Sequence, residues 1–148
     1  MKYNSSNLDF KINSSFSSIS ELQILELQEV FLTKGFHRIT VPSIHEGRTL
    51  VYTFLEALRC FQSVGCITKN KIPLEKGIFD IVSYLDFCGF SDVSNIADQE
   101  LYFIESFDFD FVWIESNKND VWHFYFEQKL EELNIDQQIP VIILRADQ

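Results

Sequence analysis

Between Gly77 and Asn117 the chain carries no lysine or arginine, while nine acids fall there: Asp80, Asp86, Asp92, Asp98, Glu100, Glu105, Asp108, Asp110 and Glu115. Over all 148 residues, 22 acidic residues face 12 basic ones, for a net charge of −10. A chain this acidic repels phosphate backbones and anionic lipid, so nucleic acid and membrane surfaces are not expected partners. The acidic stretch is either a solvated face or a docking face for a basic partner. Long apolar runs are also missing. No segment approaches the ~18 residues of a membrane span, and "MKYNSSNLDFKINSSFSSIS" has no apolar leader core. The expectation is a cytoplasmic protein without membrane insertion.

Cysteine is scarce and odd in number: Cys60, Cys66 and Cys88, without metal-ligand spacing. Reduced thiols are expected, with Cys60 and Cys66 as packing residues. His37, His45 and His123 stand on three separate segments, so no zinc site is expected. No serine sits in a Gly-x-Ser-x-Gly elbow. Neither catalytic residue, metal nor cofactor is indicated.

Aromatic residues are abundant: 15 Phe, 5 Tyr and 2 Trp. Such surface fills a bulky core or is shared with a partner. Residues 1–17, rich in Ser and Asn, read as a flexible arm, and 18–148 as one α/β domain. Ser18-x-x-Glu21 reads as a capping box for a helix ending near Lys34, with Gly35 as its C-cap. "FHRITVPS" reads as a strand, "RTLVYTFLEALRCFQSV" as an amphipathic helix ended by Gly65, and "CITKN" as a short strand. Residues 77–107 read as two helices split around "GFSDVSN". "DFVWIES" reads as a buried strand, followed by a helix capped at Asn119 or Asp120 and reaching Leu133, then the strand "IPVIILRAD". This alternation predicts a three-layer sandwich with a mainly parallel sheet.

The stretch "VPSIHEGRTLVYTF" has the layout of a phosphate-binding loop, with strand, polar bend Ser43–Gly47, Gly47-Arg48-Thr49 and helix. Later, "FVWIES" places Glu115 at the tip of a buried strand, where such sites hold magnesium through water. In this order the chain, from Phe36 to Asp147, resembles a trimmed core of the RecA/KaiC-like branch of phosphate-loop NTPases. The resemblance implies a RecA-like fold and, for an active member, nucleotide contacts from Gly47, Arg48, Thr49 and Glu115. The departures are chemical. Pro42 stands at the first glycine and lacks an N–H. Glu46 adds a carboxylate where the triphosphate would lie. Arg48 replaces a lysine and differs from it in shape and hydration. No glutamate placed to activate water follows "CITKN", where Lys69, Asn70 and Lys71 stand. The expected function is therefore a non-catalytic pseudo-NTPase acting as a subunit or adaptor. Its expected partner is another protein, either a basic one or an active ATPase, or a second copy. The alternative is a divergent nucleotide-binding protein or NTPase using Gly47-Arg48-Thr49.

"DVWHFYFEQKLEEL" supplies the candidate partner surface. Trp122, Phe124, Tyr125 and Phe126 make the first turns apolar nearly all round, more than one sheet face requires. In "FDFDF", Phe107, Phe109 and Phe111 alternate with acids, which predicts the three rings on one side of a strand.

Overall fold

The computed structural model describes residues 7–11, 20–68, 82–86, 109–121 and 123–147; for 7–11 and 82–86 it describes the backbone. Six strands are described: β1 (Asn7–Lys11), β2 (Gly35–Val41), β3 (Val64–Thr68), β4 (Val82–Asp86), β5 (Phe111–Asn117) and β6 (Pro140–Ala146). They form one sheet in the order β1-β2-β6-β5-β3-β4, and every pair is parallel. Helices α1 (Glu21–Leu32) and α2 (Ile44–Leu58) lie on one face, and α3 (His123–Glu132) with a 3-10 turn (Ile135–Gln137) on the other. The described residues thus form an α/β sandwich around a parallel sheet, as the alternation predicts.

The central strands explain the two cores. β5 and β6 are buried on both faces, as continuous apolar runs in parallel sheets are. Phe111, Trp113, Ile142 and Leu144 meet α1 and α2, while Val112, Ile114, Val141 and Ile143 meet Phe126 and Leu130 of α3. Part of the phenylalanine surplus is spent in the first core. Phe31 lies 4.9 Å from Phe54 and 5.4 Å from Phe111, and Phe61 lies 4.9 Å from Phe111.

Several boundaries differ from the sequence reading. Residues 7–11, expected within a flexible arm, are an edge strand registered from Asn7 opposite Phe36 to Lys11 opposite Thr40. Residues 82–86, expected in a helix, are β4, in keeping with the strand preference of Val82 and Tyr84. The second helix expected before Phe109 lies outside the described residues, as does Cys88. Ser20, not Ser18, caps α1: its Oγ accepts from Gln23 N at 3.3 Å, and Gln23 Oε1 accepts from Ser20 N at 3.4 Å. Gly35 opens β2 rather than capping α1. Its φ of 120° is one that a side chain disfavours. α2 stops at Leu58 through Arg59 in the left-handed region, so Cys60 lies beyond the helix and is exposed, while Cys66 is buried. Phe109 precedes β5 and packs on the α3 side, whereas Phe111 packs on the α2 side. Among the described residues, no helix is long and apolar enough to cross a membrane.

Candidate functional site

The predicted phosphate loop is the first turn of a helix. α2 begins at Ile44, and the Ser43 side chain accepts from Glu46 N at 3.2 Å, satisfying one of the donors that an anion would otherwise meet. The polar bend expected at Ser43–Gly47 is therefore absent. Gly47 lies inside the helix, where its lack of a side chain serves packing. A Cβ there would stand 3.1 Å from Leu144 Cδ1 and 3.2 Å from Val41 Cγ2, so the glycine lets α2 settle onto β2 and β6. Thr49 is exposed and its hydroxyl donates back to the His45 carbonyl at 3.0 Å. Glu46 sits in the first turn of α2, a negative charge at the positive end of the helix dipole.

Arg48 and Glu115, assigned from distant parts of the sequence, do meet. Arg48 Nε donates to Glu115 Oε2 at 2.6 Å and Nη2 donates to Oε1 at 2.7 Å, a two-point pair. Thr68 Oγ1 donates to Oε1 at 2.6 Å, and Trp113 Nε1 donates to Oε2 at 3.1 Å. Glu115 is 0% exposed, and each of its oxygens accepts two hydrogen bonds. A carboxylate offers about four lone-pair positions, so its acceptor capacity is filled from within the protein. Burial works against the Arg48 charge, but the hydrogen bond and charge of Glu115 outweigh it and raise the guanidinium above its ordinary value. Beneath the pair, burial pushes the Cys66 thiol well up, helped by the Glu115 charge. Sequence reasoning missed Thr68 and Trp113. Both lie on the same sheet face as Glu115, one a strand away and one two residues back.

A second polar cluster lies on the opposite face, under α3. Arg38 Nη2 donates to Glu127 Oε1 at 2.5 Å. Arg145 donates to the Lys118 carbonyl at 2.7 Å and, through Nη1, to His123 Nε2 at 3.2 Å. A guanidinium only donates, so His123 accepts at Nε2 and carries its proton on Nδ1, which faces Ser116 Oγ at 3.1 Å. Ser116, His123 and Glu127 have the residue types of a nucleophilic triad but not its arrangement. Ser116 and His123 are each 1% exposed, and Arg145 occupies the ring nitrogen that is free of the serine. The signal available in the sequence was Arg38 and Arg145 inside otherwise apolar strands, since charged residues are rarely buried unless paired.

Burial, with Arg145 and Arg38 nearby, lowers His123 to about 4 from its ordinary 6.5; Asp120 pulls weakly the other way. Burial raises Glu127 despite Arg38. Between pH 4 and 6.5 the unfolded chain therefore holds a proton on residue 123 that the folded chain lacks. The His123 contribution is complete above pH 6.5 and is lost as pH falls toward 4. Glu127 acts in the opposite sense and offsets part of it. Urea unfolding from about pH 7 to pH 5 should show the wild type losing about 2 kcal/mol through this group; His123→Gln should remove that share of the slope and leave the share of His37, which burial also lowers.

The partner-surface residues separate. Phe126 is fully buried in the second core and cannot meet a partner, because it stands on the sheet-facing side of α3. Tyr125 is half-buried, packed edge-on against Phe126 with ring centroids 5.3 Å apart. Phe124 is 53% exposed beside an open concavity of about 440 Å³ lined by Phe124, Glu127, Gln128, Glu131 and Glu132. Trp122 lies outside the described residues. Among the described residues, no three His, Cys, Asp or Glu side chains converge as metal ligands would. In comparison with known proteins, the chain matches no family model, no curated protein and no solved structure.

Proposed function

We propose that this protein is a non-catalytic α/β protein of RecA-like descent that works as a subunit or adaptor through protein–protein contacts. The observation that carries the reading is the filled coordination of Glu115 by Arg48, Thr68 and Trp113. The carboxylate that would hold a magnesium shell and the arginine that would reach phosphates are spent on each other in a buried pair. Thr49 turned back on His45 and the helix starting at Ile44 support the same conclusion. On the contact side, Phe124 rises from a concavity whose exposed acids are Glu131 and Glu132, a pairing of aromatic and acidic groups that suits a basic partner.

Purified protein is expected to show no magnesium-dependent hydrolysis of ATP or GTP. Turnover that disappears in Thr49→Ala, a substitution at an exposed position, would overturn the proposal in favour of a divergent NTPase.

A further inference from the structure

We propose that the outer face of α1 is a docking site for a basic amphipathic helix of a partner protein. The helix is apolar on two sides. Leu27, Val30 and Phe31 turn into the first core and are at most 2% exposed. Leu22, Leu25 and Leu32 are 67%, 59% and 52% exposed. At 3.6 residues per turn these three leucines fall within about 80° of one another, roughly opposite the buried set, and the exposed Glu29 lies in the same sector between Leu22 and Leu25. Single exposed leucines are ordinary, whereas a leucine stripe on a folded helix marks a surface that another apolar face covers.

Charge selects the occupant. Every ionisable residue on α1 is acidic, Glu21, Glu26 and Glu29, and all three are exposed. A second copy docking through the same stripe would set these carboxylates against their equivalents. Nucleic acid and anionic lipid are repelled by the same charges. A helix with a leucine-rich stripe that carries lysine or arginine within it, opposite Glu29, and along its edges, opposite Glu21 and Glu26, fits both the apolar and the electrostatic pattern. The platform is already fixed. Ser20 caps its start, Thr33 Oγ1 donates to the Glu29 carbonyl at 2.6 Å, and His37 Nε2 donates to the Thr33 carbonyl at 2.6 Å. Binding therefore requires little ordering of α1 itself. The inference rests on the adaptor reading for its biological sense, but its surface lies on the opposite face of the sheet from Phe124.

The test uses the full chain and a synthetic peptide of about 18 residues, long enough to be helical, with leucine and lysine in an amphipathic pattern. Its twin carries glutamate for lysine. Fluorescence anisotropy should show the lysine peptide binding, more weakly as salt rises. Affinity should fall at least about tenfold for Leu25→Ser/Leu32→Ser, and similarly for Glu26→Lys/Glu29→Lys. Phe124→Ser should bind as the wild type does, and the glutamate peptide should not bind. Equal affinity of wild type and the leucine variant would overturn the proposal, because binding would then be mere charge attraction. So would a wild-type dimer that dissociates in the leucine variant, which would show a second copy on this face. A melting temperature lowered by more than about 4 °C in the leucine variant would also overturn it, by showing that the chain covers its own stripe. ATP hydrolysis found alongside normal peptide binding would remove the adaptor reading and leave this surface standing.

Discussion

Arg48→Ala should destabilise the fold by about 3–5 kcal/mol, the cost of leaving one member of a buried ion pair alone. The Arg48 side chain is 10% exposed and that of Glu115 is 0% exposed, so the carboxylate left behind starts from a fully buried position. Thr68 and Trp113 would still donate to Glu115, but neither brings a positive charge. Folded domains are stable by only about 5–15 kcal/mol, so the urea midpoint should fall steeply. The informative companion is Arg48→Met/Glu115→Leu, which removes both charges and keeps much of the volume. It should recover most of the loss, since buried pairs exchange for apolar groups at little cost when both members go together. Recovery would assign the pair to folding. A double variant that remains as unstable as Arg48→Ala would show that the two side chains do more than neutralise each other.

Phe31→Ala should cost a similar amount, about 3–5 kcal/mol. Phe31 is fully buried and joins α1 to α2 and β5 through its contacts with Phe54 and Phe111. Truncation leaves a cavity among rings fixed by their own packing, so little collapse can refill it. Leu25, six residues earlier and on the exposed side of α1, provides the contrast. Leu25→Ala should change stability by no more than about 0.5 kcal/mol, although the two residues are similarly apolar. Urea unfolding of both variants at one pH reads the difference. A large loss at Leu25 would mean that the outer face of α1 is core.

The strands buried on both faces were legible because an uninterrupted apolar run such as "FVWIES" has few alternatives once acids bound it. Helix starts were less legible. Ser18 and Ser20 both offer a hydroxyl, and the choice of Ser20 depends on Gln23 reaching back. The error at Ser43–Thr49 had a physical source too. A glycine after a polar bend suggests a loop, whereas here Gly47 supplies clearance for Leu144 and Val41, on strands far apart in the chain. Arg48 and Glu115 were singled out as members of one site, and they do meet. What the linear pattern did not show is that they bond to each other, because that depends on the register of β3 beside β5 and on the seat of α2. Phe126 illustrates the same limit. Trp122 to Phe126 read as a continuous aromatic patch, yet helical geometry sends Phe126 inward and Phe124 outward.

Titration calorimetry of the full chain with magnesium-ATP and magnesium-GTP tests the central claim most directly. With Glu115 saturated by Arg48, Thr68 and Trp113, neither nucleotide should produce a binding heat, and neither should raise the melting temperature at millimolar concentration. A dissociation constant in the micromolar range that weakens in Thr49→Ala would contradict the account, since it would require the buried pair to open for a nucleotide.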